Sequence, residues 1–319
     1  MNPIKFKRLL PVLVLPVILW SGTLKAEVPR VVADIAPIHS LVSMVMDGVG
    51  EPQLLIPQNA SPHHYSMRPS EAKALQEADL AVYVGHDMTP WLEPLFETVA
   101  TSADVLDLSE VDEVLLLSYR EGPVFDEHEG HEDHEEEGHD DHAGHDHDGT
   151  DPHMWLDPVN ATLWLDAIAS KFGRIDPQNA NRYIANAESG KERIAQATHR
   201  IEDYLVPVHN QEFLVFHDAF QYFEKRFGIA AVGSISLGDA SKPSSRRLRE
   251  LKHLFEERGI NCVLSEPQFS SDLIDNVFGD HKLRFGVVDP VGLDLKLGPS
   301  LYPEVLENIA LGIAQCVKQ

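Results

Sequence analysis

The chain has 319 residues, with 51 Asp and Glu against 26 Lys and Arg, giving a formal net charge of −25 at pH 7. An acidic excess of this size argues against nucleic acid or an anionic membrane surface as a partner and for attraction of cations. The length is enough for two lobes with separate cores.

Residues 1–26 open with Lys5, Lys7 and Arg8, run through an apolar stretch from Leu9 to Trp20, and end on Leu24-Lys25-Ala26. This pattern predicts a secretory signal peptide with a cleavage site after Ala26. The apolar core is too short to span a bilayer, which takes about 20 residues. The residue directly after the cleavage site is Glu27, not Cys, so no lipid anchor at a new amino-terminal Cys is expected. The expected product is a monomer in a Gram-negative periplasm, with no stable membrane insertion.

Short β-branched runs at 31–35, 54–56, 80–84 and 105–108 alternate with helical patterns such as 71–78, which follows Pro69 at a helix start. Strand and helix in alternation predict a parallel α/β sheet. Beyond an acidic tract at 121–150, residues 160–172 read as a helix ending at Gly173. From Pro177 to Tyr204 only Gly190 breaks the helical composition, which predicts one helix long enough to join two lobes. A second series follows: strands at 213–216, 230–235, 262–265 and 285–288, a helix at 245–258, and a closing helix at 303–316. The expected organisation is α/β, two lobes with parallel sheets, at 27–176 and 206–319, joined by a helix at 177–205.

The tract itself holds seven of the 17 histidines (His128, His131, His134, His139, His142, His145 and His147) among dense carboxylates, with no Lys or Arg. Neutral imidazoles in a carboxylate field make an accessory metal loop. Too few apolar residues are present to offset chain entropy, so disorder before binding is expected. The two cysteines, Cys262 and Cys316, are expected to pair in an oxidising compartment rather than to form a two-cysteine zinc site.

Four residues stand where an open α/β sheet places its ligands, beyond the carboxyl ends of strands. His63 lies in Ser61-Pro62-His63-His64-Tyr65, and His153 in Asp151-Pro152-His153-Met154-Trp155-Leu156-Asp157-Pro158. His217 ends a strand in Phe216-His217-Asp218-Ala219-Phe220, and Asp289 stands in Val288-Asp289-Pro290. None has the spacing of a helix-borne zinc motif. Taken singly each also fits an ordinary structural residue.

Together with Ser66-Met67-Arg68-Pro69-Ser70, Ala78-Asp79-Leu80, Ser265-Glu266-Pro267-Gln268-Phe269 and the His tract, these segments resemble the metal-specific solute-binding proteins of ABC importers. Within that group the likeness is to the periplasmic zinc-binding proteins of the ZnuA type, and it covers nearly the whole mature chain. The resemblance implies metal in the cleft between the lobes, held by His63, His153 and His217, with Asp289 or a water as fourth ligand. It also implies capture of Zn2+ and delivery to the membrane permease of an ABC importer. Manganese binders of the superfamily carry a carboxylate where this chain has His217, and three imidazoles with one oxygen suit zinc better. The alternatives are a manganese or other divalent-metal binder, and a secreted zinc hydrolase. No enzyme is expected.

Of the remaining histidines, His64 and His86 either face the cleft or lie on the surface, while His39, His199, His209, His253 and His281 read as surface or structural residues. Asp218 and Glu266 are candidates to orient ligand rings through their second nitrogens.

Overall fold

The structure, a computed structural model, describes residues 28–120, 122, 124–125, 149–236, 243–267 and 284–318. The leader, the seven tract histidines (His128, His131, His134, His139, His142, His145 and His147) and His281 lie outside the described residues.

Two four-stranded parallel sheets form the frame. The first contains β1 (Val31–Ala33), β2 (Gln53–Leu54), β3 (Leu80–Tyr83) and β4 (Asp104–Asp107), in the order β2-β1-β3-β4. The second contains β5 (Leu214–His217), β6 (Gly233–Ser236), β7 (Cys262–Ser265) and β8 (Arg284–Val287), in the order β6-β5-β7-β8. The two halves thus share one topology, with β1 and β5 in equivalent places. Register is set by pairs such as Val32 with Gln53, Val31 with Leu80, His217 with Ser236 and Leu214 with Val263. Leu55 and Ile56 continue the β2 line by bonding to the carbonyls of Ala33 and Asp34. Strands β3 and β5 are buried at every position, as expected of parallel strands covered on both faces.

Helices complete the layers: α1 (Ala36–Val45), α2 (Pro69–Gln76), α3 (Glu93–Thr98), α4 (Pro158–Ile175), α5 (Ala180–Leu205), α6 (Gln221–Phe227), α7 (Ser245–Arg258) and α8 (Leu301–Lys318). Helix α1 is missing from the sequence expectation because all ten of its residues are buried, so no polar face marks a helical period. Helix α4 runs past Gly173 to Ile175.

Helix α5 has 26 residues, a length of about 39 Å at 1.5 Å per residue. Its buried residues, Tyr183, Ala187, Gly190, Ile194, Ala197, Ile201 and Leu205, recur every three or four positions and form one stripe. That stripe packs on α4, α1 and α8. Gly190 does not break the helix, because it serves packing. A Cβ there would stand 2.9 Å from Leu165 Cδ1 and 3.3 Å from Met44 Sδ, so any larger residue makes those side chains shift.

The main apolar cluster runs from the first sheet through α1, α4, α5 and α8 to β7, joining Ile38, Trp164, Ile194, Ile309 and Leu264. A smaller cluster, including Leu214, Ile235, Leu251 and Val263, fills the other face of the second sheet. Cys262 and Cys316 form the expected disulfide, tying β7 to α8 across 54 residues of sequence. Bonds between the halves include Trp155 Nε1 to the Pro290 carbonyl at 2.8 Å and Tyr302 Oη to the Trp155 carbonyl at 2.7 Å.

Candidate metal centre

Each sheet changes connection direction beside its second strand in spatial order, and open α/β sheets bind ligands at the carboxyl ends of strands at such a point. His217 is the last residue of β5, so the fold delivers it there. Its Nδ1 lies 2.8 Å from Oε1 of Glu266, the residue after neighbouring β7. Both side chains are buried. An ionised carboxylate only accepts, so Nδ1 donates and Nε2 is left with its lone pair.

His153 is set up in the same way by a residue of its own loop. Asp151 Oδ1 accepts from the His153 backbone N–H at 3.0 Å and from its Nδ1 at 2.7 Å. Asp151 is itself held by its N–H on the Leu117 carbonyl and by Tyr222 Oη on its own carbonyl. Burial pushes the Asp151 carboxyl up to about 7, against the pull of the His153 backbone N–H, Arg120 and His217. A cation beside the two imidazoles lowers it again. Past His153, a 3-10 turn (Met154–Leu156) ends at Asp157, which caps α4 by accepting from the Val159 N–H at 2.8 Å.

His63 sits in a 3-10 turn (Pro62–His64) that follows β2 and opens on a proline, which pre-sets φ. The turn is anchored by Trp91 Nε1, which donates to the Pro62 carbonyl at 2.9 Å. Next to it, Tyr65 Oη donates to Glu71, whose carboxylate also accepts from the Arg68 N–H at the start of α2.

The three loops converge. His63, His153 and His217 bring donor atoms within 4.8 Å of one another, and this is the group of three potential metal donors found among the described residues. The Nε2 atoms of His153 and His217 are 3.3 Å apart, and the His63 and His153 rings are 5.6 Å apart at their centres. Two nitrogens bound at 2.0–2.1 Å to one tetrahedral zinc stand about 3.3–3.4 Å apart, so the pair has the edge length of such a site. Two lone pairs aimed at each other across this gap repel, and a cation or proton between them relieves the repulsion.

Asp289 is not in this group. Its carboxylate accepts the backbone N–H groups of Val291 at 3.0 Å, Gly292 at 2.9 Å and Leu293 at 2.5 Å, which folds the loop after β8. Three of about four lone-pair positions are thereby occupied. Asp218, expected as an orienting carboxylate, instead receives the Arg120 guanidinium, with Nε 3.0 Å from Oδ2. Asp151, which the sequence reading did not single out, holds the role expected of Asp218. The local signal was its place two residues before His153, where an Asp side chain reaches the backbone N–H.

The other histidines are elsewhere. His86 pairs with Glu93 at the surface, His199 with Glu202 and His253 with Glu257, while His64 and His209 are exposed. His39 is buried with Nε2 3.1 Å from the Pro52 carbonyl, and burial holds its pKa below the usual imidazole range.

Paired parallel sheets, one long helix and a convergent trio of imidazoles define a metal-binding member of the solute-binding class. The chain matches the ZnuA family, zinc-uptake complex component A periplasmic, over residues 31–316, and belongs to it. The high-affinity zinc uptake system protein ZnuA of Brucella suis is 38% identical over 320 residues, covering 94% of this chain and 95% of its own length. The protein of the same name from Paracoccus denitrificans is 39% identical over 307 residues, covering 92% and 93%. Among solved structures, a zinc-bound ZnuA deletion mutant superposes with a TM-score of 0.74 at 22% identity, over 91% of this chain and 98% of that one. The Mn2+ complex of the SBP FpvC from Pseudomonas aeruginosa does so at 0.75 and 18% identity, over 92% and 99%. The fold therefore accommodates proteins of different metals, and the donor set has to select among them.

Proposed function

We propose that the protein captures Zn2+ outside the cytoplasm and hands it to the permease of an ABC importer, with zinc as cargo. The observation that carries this is the imidazole trio, half-buried at His63 and buried at His153 and His217, with the latter two rings held by carboxylates and their Nε2 atoms 3.3 Å apart. The ligands are His63, His153 and His217. Water supplies the fourth donor, since Asp289 is engaged in its own loop. Three nitrogens and one oxygen match zinc's tetrahedral, borderline-soft preference, whereas manganese favours an oxygen-rich shell. Membership in a zinc-uptake family and the names of the relatives support the same metal.

Export by the leader at 1–26, a periplasmic location and a monomeric state complete the reading, and the tract at 121–150 serves as accessory capture. No helix among the described residues is long and apolar enough to cross a membrane. The role is binding and transfer rather than catalysis. Capture requires neutral imidazoles, so zinc affinity falls as pH drops through the histidine range.

The test is a zinc titration of the mature chain lacking residues 122–150 against a competing chelator, with manganese as rival. One tight zinc site is expected, together with loss of the weak sites that the tract contributes. His217→Ala is expected to weaken the tight site by about 100-fold, since a zinc site worth about 10–16 kcal/mol in all spreads over four donors. Loss of tight binding with the tract alone would refute the assignment. Turnover of ester or peptide substrates would support the hydrolase alternative.

A further inference from the structure

The three-histidine group needs two of its members, on different halves of the chain, held at a fixed separation. Helix α6 does the spacing. It begins four residues after His217; two of its side chains, Tyr222 and Arg226, reach the segment that carries His153, and a third, Glu224, holds Arg120. Tyr222 Oη donates to the Asp151 carbonyl at 2.9 Å and accepts from the Leu117 N–H at 2.9 Å. Glu224 Oε2 accepts from Arg120 at 2.6 Å, and the same guanidinium grips Asp218, the residue after His217, while lying 3.8 Å over the Phe125 ring.

Arg226 makes the third link, a paired one. Its Nε and Nη2 donate to the two carboxylate oxygens of Asp157, each at 2.7 Å. Asp157 is fully buried and ends the turn that follows His153, whereas the Arg226 side chain is 34% exposed. A planar guanidinium on a carboxylate fixes orientation as well as distance, which a single ammonium contact does not.

We propose that Arg226, through Asp157, is a positioning residue that sets the separation of His153 and His217 and thereby the preference for zinc over manganese. This rests on the zinc reading above. Arg226 touches no metal. It acts by bracing the turn after His153 against the helix after His217. With the brace intact the Nε2 pair keeps a tetrahedral zinc edge and ordering on binding costs little. Without it the two imidazoles spread, so zinc loses a preorganised site while an ion satisfied by looser, oxygen-rich coordination loses less.

The experiment uses the full mature chain, with substoichiometric zinc so that the tightest site is read against a chelator. Zinc and manganese affinities and the visible spectrum of the Co2+ form are recorded for the parent, Arg226→Met and Arg226→Lys. Asp157 is left in place, so the cap of α4 survives. Arg226→Met is expected to weaken zinc about 10-fold or more, the range for residues that orient metal ligands. It should also lower the zinc-to-manganese ratio and weaken the tetrahedral Co2+ bands. Arg226→Lys, which keeps the charge and loses the paired geometry, is expected to fall between.

Zinc affinity and ratio within about two-fold of the parent in both variants would overturn the proposal, and so would equal losses for both metals. Should Arg226→Met not fold, Arg226→Lys decides by the same readouts. A parent without tight zinc binding fails the zinc reading itself. A tight parent site indifferent to Arg226 fails only the brace.

Discussion

Replacing Glu266 tests whether the candidate centre depends on a ring held from behind. Its carboxylate is 2% exposed and accepts from His217 Nδ1 at 2.8 Å. In Glu266→Gln the amide oxygen still accepts this bond, but the charge is gone. Bonds to charged groups are worth roughly 1.5–3 kcal/mol and neutral ones about 0.5–1.5, so the change costs about 1–1.5 kcal/mol. At about 1.4 kcal/mol per tenfold, zinc affinity is expected to fall by about 10-fold. Glu266→Ala removes the acceptor altogether, leaves a buried N–H on His217 and frees the ring, and the expected loss is up to about 100-fold. The assay is competition with a chelator at constant pH, paired with a thermal melt of the metal-free proteins. Folded Gln and Ala variants that bind zinc as the parent does would refute the claim that Glu266 prepares His217.

Asp34 is fully buried between β1 and β3, where its two oxygens accept the N–H groups of Ile35 and Val84. Burial pushes its pKa up to about 7. The folded protein therefore holds a proton that the unfolded chain releases near pH 4, and this group's contribution to stability is lost as pH rises toward 7. Urea unfolding is expected to show a fall between pH 5 and pH 8 that is smaller by about 2–3 kcal/mol in Asp34→Asn; equal falls in both proteins would count against it. Gly190→Ala is expected to lower stability by about 1–3 kcal/mol through overpacking against Leu165 and Met44, read as a drop in Tm. Removing the Cys262–Cys316 bridge, which closes 54 residues of sequence, is expected to cost about 4 kcal/mol on the chain-entropy account, checked by denaturant unfolding of the double Ser variant.

Much of the frame was legible in the sequence because its causes are local. Short β-branched runs mark strands buried on both faces, and a long run of helical composition without proline marks α5. Turn chemistry at Pro62 and at Asp151-Pro152 marks the corners that carry His63 and His153. The composition of the tract follows from residue types alone. Helix α1 escaped because complete burial erases the polar face that reveals a helix from its sequence.

Convergence was decided only by the tertiary structure. His153 and His217 are 64 residues apart in the chain and Glu266 is 49 beyond His217, yet strand order puts β5 beside β7 so that Glu266 meets His217, and the Nε2 atoms of His153 and His217 lie 3.3 Å apart. The sequence offered Asp289, or a water, as a fourth ligand and Asp218 as an orienting carboxylate. Whether a carboxylate points at a metal position or at its own loop depends on which donors the backbone presents within about 3 Å of it. Three N–H groups after Asp289 and the Arg120 guanidinium beside Asp218 were closer. Residue type fixes what a side chain is able to bind, and long-range packing fixes which partner it finds first.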